Sequence, residues 1–291
     1  MKPIPVVFHI GPLQVHTYGI GLALTFWFAF SYFERRLRRE GYPTDWFVSV
    51  FLWIIAAAVV GARALHVLTN LGFYSHNLGD IFAIWHGGLS SFGGLLLAVP
   101  TGIYLTHRRC PELAMARALD LVAPVLLAAW SLGRLLGPQL MVAGGGHRTH
   151  QWFGMYYANQ PGKRLPVPIF QSLEDFSVFL VLIALERRFN RWPDGRPRTG
   201  YPAGGVIAVA MILWGIERTL DEHLWLGQDG HLGSLLVQIA GVLLVIGGGV
   251  ILIRTRRRWT QWLAGRPEGP GTPQENVPED SALEGSTIPN G

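Results

Sequence analysis

The stretch DLVAPVLLAAWSLGRL, residues 120–135, decides the fold class. It is apolar over almost the length of a membrane crossing, which takes about 20 residues in an α-helix, and it ends near an arginine, Arg134. Six other segments have a similar apolar character. The seven segments cover residues 17–33, 45–65, 89–106, 119–136, 169–185, 203–216 and 232–253. Because barrel strands would alternate apolar and polar residues and open backbone cannot sit in lipid, the sequence predicts an all-α integral membrane protein with seven transmembrane helices.

The composition of the whole chain agrees with this interpretation. Of its 291 residues, 49% are hydrophobic and 15% are charged, whereas a soluble domain carries about 25% charged residues. The chain holds a single cysteine, Cys110, which excludes an internal disulfide and a cysteine-based metal site. We predict no metal and no other cofactor.

The basic residues indicate the orientation in the membrane. Most of the 24 lysines and arginines follow the first, third, fifth and seventh segments, as in ERRLRRE at residues 34–40. Loops rich in Lys and Arg stay on the cytoplasmic side. We therefore predict that the N-terminus lies outside and the C-terminus in the cytoplasm. The basic excess then reflects orientation rather than a surface for nucleic acid.

The chain divides into a membrane domain and a tail. Residues 1–266 form the predicted seven-span domain, and its longest outer segment, roughly residues 137–168, is expected to form a small extracytoplasmic cap. Residues 267–291 are rich in Pro, Gly, Ser and acidic residues and contain no lysine or arginine. Such a composition cannot bury enough apolar surface to fold, so we expect a disordered cytoplasmic tail.

Three arginines lie near the outer ends of the even-numbered segments: Arg63 in GARAL, Arg134 in LGRLL and Arg218 in GIERTL. A charge within a membrane span is costly and usually faces the protein interior or an aqueous cavity. In one interpretation each arginine reaches the outer head groups on its own. In the other, the three converge on one anion such as a phospholipid phosphate, whose oxygens match the guanidinium fork.

Six motifs occur in the order in which one family of membrane enzymes has them. They are HIGPLQVHTYG, GARALHVL, WHGGLSSFGGLL, DLVAPVLLAAWSLGRL, LPVPIFQSL and GGVIAVAMILWGIERTLDE. Over roughly residues 8–255 the chain resembles the bacterial prolipoprotein diacylglyceryl transferases. The resemblance implies transfer of the diacylglyceryl group of phosphatidylglycerol to the thiol of a prolipoprotein's lipobox cysteine. It also implies a multi-pass protein of the bacterial inner membrane whose partners are phosphatidylglycerol, the lipobox segment and the bilayer, with no nucleic acid.

The resemblance assigns site residues as well. It assigns the phosphatidylglycerol head group to Arg134, Arg63, Arg218, His16, Tyr18, Gly93 and Gly94. The arginines are expected to hold the phosphate, and Glu222, four residues after Arg218, is expected to orient that guanidinium on the same helix face. Arg134, Arg218 and Glu222 are thus the expected catalytic residues, together with a base.

Several family positions are changed in this chain. Phe92 stands where the family has the histidine of its H-G-G motif, and Trp214 stands where it has a tyrosine. Residues 169–171 read Ile-Phe-Gln in place of Leu-Tyr-Glu. The Asn- and Glu-containing run after the G-R signature is replaced by GPQLMVAGGGH. The arginines therefore remain while several hydrogen-bonding groups are lost.

The loss of the histidine leaves the identity of the general base open. Phe92 has no lone pair and cannot accept the thiol proton. His86 is our preferred base, and His66 and Glu222 are the alternatives. Two other functional classes also remain: a catalytically degenerate family member that binds phospholipid or a lipoprotein precursor, and an anion transporter or channel.

Overall fold

The structure is a computed structural model, and it describes residues 7–10, 13–82, 90–190, 203–224 and 231–264. Its helices are α1 (Thr17–Arg39), α2 (Asp45–Thr69), α3 (Leu71–Tyr74), α4 (Ser91–Arg109), α5 (Met115–Leu136), α6 (Val167–Asn190), α7 (Gly205–Leu224) and α8 (His231–Ala264). Each of the seven predicted segments corresponds to one of the long helices, and α3 is a single short turn. Position 92 and the residues around it begin α4, whereas the predicted tail at 267–291 lies outside the described residues.

Four of the described helical stretches are long and apolar enough to cross a membrane. They are Asp45–Thr69, Met115–Val142, Val167–Arg187 and Val237–Arg258. The remaining long helices are α1, α4 and α7, and α7 carries four charged residues in its second half. The predicted helical fold is thus confirmed, and its composition is compatible with an integral membrane protein.

Helix α5 lies at the centre of the bundle and contacts α1, α6 and α7, while α2 packs along α4 and α8 along α7. Helices α1 and α5 run in opposite directions, because Gly21 near the start of α1 meets Leu136 at the end of α5. Helices α5 and α6 do so too, since the Ser131 hydroxyl donates to the Ser172 carbonyl at 2.8 Å. These contacts describe an up-and-down bundle.

Helices α5 and α7 run parallel, and one carboxylate fixes their starting points together. The side chain of Asp120 accepts hydrogen bonds from the backbone N–H groups of Gly204 (2.8 Å) and Ile207 (2.9 Å) and so caps α7. Gly204 has a φ of +113°, which favours glycine. Arg134 lies fourteen residues after Asp120, and Arg218 lies fourteen residues after Gly204. At 1.5 Å per residue, both arginines stand about 21 Å along their helices, at the same level.

Glycines allow two helix pairs to approach closely. A Cβ added at Gly93 of α4 would lie 2.2 Å from the Gly61 carbonyl oxygen of α2, and the reverse is equally true. On α7 and α8, a Cβ at Gly215 would lie 2.5 Å from the Gly241 carbonyl oxygen. Small residues at such crossings are typical of helix pairs in membranes, where van der Waals packing drives association.

The basic end of the bundle contains an apolar cluster and two buried ion pairs. Phe33, Leu37, Phe47, Cys110 and Leu121 belong to the apolar cluster. Burial there raises the pKa of the Cys110 thiol, so the thiol is protonated at neutral pH.

The two ion pairs at this end bring distant parts of the chain together. Arg36 of α1 donates to the Leu121 carbonyl at 2.9 Å and to the Glu186 carboxylate of α6 at 2.6 Å. Arg117 of α5 pairs with Glu40 at 2.7 Å. These buried guanidinium groups therefore tie α1, α5 and α6 together at one end.

Two antiparallel hairpins accompany the helices, and the sequence reasoning predicted neither. Strands β1 (Val7–Ile10) and β2 (Leu13–His16) lead directly into α1, and β3 (Met155–Tyr157) pairs with β4 (Gln160–Arg164). The second hairpin follows a short π-helical turn at Gln139–Ala143. It lies within residues 137–168, which agrees with a small folded cap over the bundle end, although the side of the membrane stays a prediction.

Candidate active site

Arg134 is the arginine at the end of α5, and it is 93% buried between α5, α6 and the turn that follows it. Its Nη1 donates to the Gln139 side-chain oxygen at 3.1 Å, and its guanidinium carbon lies 5.9 Å from the centre of the Trp130 ring. Its Nε lies 3.9 Å from Oδ2 of Asp175, which is beyond hydrogen-bond distance. Among the described residues this Nε has no acceptor.

Arg218 lies opposite on α7 and is paired with an acid one turn along its own helix. Its Nη1 donates to Oδ2 of Asp221 at 2.9 Å, and the same oxygen accepts a hydrogen bond from the Gln171 amide at 2.8 Å. The acid that orients Arg218 is therefore Asp221, three residues on, in place of the expected Glu222. Positions i+3 and i+4 share a helix face, and the contact with Gln171 of α6 holds Asp221 in place.

Acidic side chains surround this pair of arginines. One carboxylate oxygen from each of Glu174, Glu217 and Asp221 lies within 4.8 Å of the others. Asp175 is fully buried, interacts directly with Glu217, and lies within electrostatic range of Asp221. With four acids around two arginines, the cluster carries two more negative than positive formal charges. This carboxylate set is the part of the described structure suited to a cation.

Both kinds of hydrogen-bonding group are left over in the cluster. The donors Nε of Arg134 and Nε1 of Trp214 have no acceptor within the described part of the chain. The carboxylates of Asp175 and Glu217 are more than nine-tenths buried, and no described donor reaches them. Buried polar groups are normally satisfied, so this arrangement points to a ligand that carries acceptors and donors together.

The chain was compared with known proteins. A family model described as "Prolipoprotein diacylglyceryl transferase" matches residues 5–254. This chain belongs to that family.

Relatives of the chain agree with the assignment. A protein of Limosilactobacillus reuteri named phosphatidylglycerol–prolipoprotein diacylglyceryl transferase is 27% identical over 89% of this chain and 93% of its own length. A Lysinibacillus sphaericus protein of the same name is 31% identical over 86% of this chain and 92% of its own. One from Bacillus licheniformis is 38% identical over 45% and 47%. The similarity to full-length transferases therefore covers nearly all of the helical domain.

The structure offers replacements for some of the groups that the family motifs have and this chain lacks. Where the motif has tyrosine, Trp214 still supplies a buried N–H donor. Where the motif has the glutamate of Leu-Tyr-Glu, Gln171 donates to Asp221, so the negative charge has moved from α6 to α7. Gln139 supplies an amide to Arg134 in the segment that lost its asparagines. The hydrogen-bonding capacity is thus largely retained, with different side chains.

Arg63 lies apart from the contacts that join Arg134 and Arg218. Its Nε donates to the Ile81 carbonyl at 2.9 Å, its Nη2 donates to the Asp80 carbonyl, and its guanidinium carbon lies 5.3 Å from the Tyr74 ring centre. The short 3₁₀ helix at Leu78–Phe82 supplies both carbonyls. These contacts fasten the end of α2 to the segment that follows it.

The other residues expected at the head group lie in several places. Gly93 and Gly94 face α2, where Gly93 meets Gly61, so their described role is helix packing. His16 is exposed at the end of β2, and its ring centre lies 5.1 Å from that of Tyr18. Glu222 is buried on α7 beside Asp221. His86 lies outside the described residues, as does the side chain of Phe92.

Sequence reasoning missed Glu174 and Asp175 and gave Glu217 and Asp221 no role. A signal for these residues was present, because Glu174 and Asp175 interrupt an otherwise apolar run at 169–185. Ionisable residues within membrane spans are functional candidates by default. Applying that rule to acids as well as to arginines would have found the carboxylate set.

Proposed function

We propose that this chain transfers the diacylglyceryl group of phosphatidylglycerol to the lipobox cysteine of a prolipoprotein. The family assignment and the names of the relatives support the reaction. The single observation in the structure that carries the proposal is the pair of buried arginines, Arg134 and Arg218, beside the unsatisfied donor of Trp214. Guanidinium and indole N–H groups are suited to the oxygens of a phosphodiester.

In the proposed reaction, the cysteine sulfur attacks the glyceryl methylene carbon that bears the phosphate. The carbon–oxygen bond breaks, a thioether forms, and glycerol phosphate leaves with the bond electrons on its oxygen. Arg134 and Arg218 stabilise the charge that develops on that oxygen, which is the usual contribution of fixed donors in a water-poor site. Asp221 and Gln171 keep Arg218 in position. Removal of the thiol proton is assigned to His86, as the sequence suggested.

We further propose seven membrane crossings, with the N-terminus outside and the C-terminus in the cytoplasm of a bacterial inner membrane. The alternating helix directions support this topology. The end of the bundle that holds Arg36 and Arg117 is the basic one, and basic ends stay cytoplasmic. The arginine pair at the opposite ends of α5 and α7 then lies toward the outer leaflet, where a secreted lipobox and phosphatidylglycerol both arrive.

One observation favours a second candidate, a phospholipid-binding protein without transferase activity. Phe92 replaces the histidine of the family motif, and such a change removes a proton acceptor. A protein of this kind would still bind phosphatidylglycerol through Arg134 and Arg218, but it would form no thioether.

The test is restoration of lipoprotein processing in bacteria depleted of their own transferase. A reporter prolipoprotein is examined by mass spectrometry for a thioether-linked diacylglyceryl group. We expect the wild-type chain to restore the modification and Arg134→Ala to reduce it by about 10²- to 10³-fold, the usual effect of losing a transition-state donor. Arg38→Ala serves as the matched control, because that side chain is 66% exposed at the basic end. Phosphatidylglycerol binding without any thioether would establish the second candidate.

A further inference from the structure

We propose that the carboxylate set formed by Glu174, Glu217 and Asp221 binds the ammonium group of a phospholipid head group, so that phosphatidylethanolamine serves as a diacylglyceryl donor. The inference rests on the proposed transferase function and extends its substrate range. It concerns the part of the head group beyond the phosphate, for which the arginines alone give no selectivity.

The charge of the cluster favours a zwitterionic head group. Four described carboxylates surround Arg134 and Arg218, which leaves an excess of two negative formal charges. Phosphatidylglycerol adds one more negative charge to this buried site. Phosphatidylethanolamine adds none, since its ammonium balances its phosphate. Like charges in a poorly solvated site repel strongly, so the zwitterion is the better match.

The spacing of the carboxylate oxygens matches an ammonium ion. Three oxygens that are at most 4.8 Å apart fit around a central point about 2.8 Å from each, which is the usual N–H···O distance for a charged pair. An ammonium group has three N–H donors and no acceptor. It would therefore give one hydrogen bond to each of Glu174, Glu217 and Asp221.

Glu217 supplies the independent observation that a ligand is missing from this place. Its side chain is buried with 8% exposure, and neither of its oxygens meets a donor among the described residues. The carboxylate of Asp175 beside it is also without a described donor. An ammonium group would satisfy acceptors that otherwise carry a desolvation cost of about 1 to 3 kcal/mol each.

The cation site and the phosphate site are adjacent. Asp221 is a member of the carboxylate set and also pairs with Arg218 at 2.9 Å. A head group in which two methylene groups separate phosphate from ammonium would thus place its anion at the arginines and its cation at the acids. The chemistry of transfer is unchanged: the sulfur–carbon bond forms, the carbon–oxygen bond breaks, and phosphoethanolamine leaves. The thiol proton passes to the leaving phosphate or to solvent.

The test uses the purified full-length chain in dodecyl maltoside micelles that contain either phosphatidylglycerol or phosphatidylethanolamine. The thioether product on a lipobox reporter is quantified by mass spectrometry, with EDTA present to keep divalent cations out of the carboxylate set. We expect wild type to use both lipids. In Glu217→Gln we expect use of phosphatidylethanolamine to fall at least about tenfold relative to phosphatidylglycerol, because one charge-assisted hydrogen bond is worth at least that factor.

Two further variants keep the test decisive. Glu34→Gln makes the same chemical change at an acid that pairs with the exposed Arg38, and it should leave both rates and their ratio unchanged. Glu174→Gln repeats the experiment within the set if Glu217→Gln does not fold.

Other outcomes would overturn the inference. Use of phosphatidylglycerol alone by the wild type would refute it and leave the transferase proposal intact. A parallel fall in both rates would show a structural role for Glu217. An unchanged ratio would show that protons already neutralise the acids. Product from neither lipid would refute the transferase proposal itself; binding of soluble glycerophosphoethanolamine, followed by tryptophan fluorescence, then tests the ammonium site on its own.

Discussion

Replacing Asp120 by alanine should loosen the start of α7 and move Arg218 relative to Arg134. The Asp120 carboxylate accepts hydrogen bonds from the N–H groups of Gly204 and Ile207 at 2.8 and 2.9 Å. The side chain is 1% exposed, so water cannot take over these bonds in the variant. Two backbone donors at a helix start would be left without an acceptor.

The magnitude follows from these two bonds. A helix cap contributes about 0.5 to 2 kcal/mol, and a hydrogen bond to a charged group contributes about 1.5 to 3 kcal/mol. For a buried cap with two such bonds we expect Asp120→Ala to lower the free energy of unfolding by about 2 to 4 kcal/mol. Asp120→Asn keeps one acceptor oxygen and should lose about half as much. Wild type, Asn and Ala therefore form an ordered series.

The measurement is a denaturant titration of the purified protein in detergent micelles, together with the thioether assay. Asp45→Ala is the matched control, since Asp45 is an exposed acid in the first turn of α2 and should contribute at most about 1 kcal/mol through the helix dipole. A displacement of Arg218 by about 1 Å is enough to lower transfer about 100-fold, so activity in Asp120→Ala should fall further than stability alone explains.

The reasoning would be refuted by an Asp120→Ala protein as stable as Asp45→Ala. It would also be refuted if Asp120→Asn were less stable than Asp120→Ala, because the amide retains an acceptor that the methyl group lacks. Full transferase activity with a measurable loss of stability would show that the cap does not set the level of the arginines.

Two other predictions concern packing and reactivity. Gly93→Ala should lower the free energy of unfolding by about 1 to 3 kcal/mol, because the new Cβ would meet the Gly61 carbonyl oxygen at 2.2 Å. Gly19→Ala, where nothing lies within 4 Å, should be neutral or stabilise by up to about 1 kcal/mol, and equal effects of the two substitutions in the same titration would contradict the described contact of α2 with α4. Cys110 should resist maleimide at pH 7 to 8 in the folded protein, since it is fully buried and its raised pKa leaves little thiolate. Labelling should become complete only in SDS, and rapid labelling without SDS would mean that the thiol is accessible.

Hydropathy was sufficient to predict the seven long helices, because each apolar segment is long and bounded by charged or Gly/Pro-rich sequence. It also predicted that Arg134 and Arg218 lie at one end, since both follow apolar runs of similar length. The common level of the two residues depends on Asp120, whose hydrogen bonds to the start of α7 join residues more than 80 positions apart. Sequence spacing within single segments carries no information about such a contact.

The carboxylate environment was harder to predict. The pairing of Arg218 with Asp221 instead of Glu222 depends on Gln171, a residue of another helix. The contacts of Arg63 depend on how residues 78–82 fold back onto α2, which apolar periodicity does not encode. The two hairpins were missed because their strands are three to five residues long and show little alternation.

The ion pair between Arg36 and Glu186 has a consequence for biosynthesis. Its two residues are 150 positions apart, so at about 5 to 20 residues per second the arginine waits roughly 8 to 30 s before its partner has been made. During that interval Arg36 is a free positive charge, available to hold the first helix against translocation. Once α6 arrives, the same guanidinium becomes an internal cross-brace. One side chain thus acts first as a topology signal and later as part of the finished bundle, and its loss would be felt at two separate times.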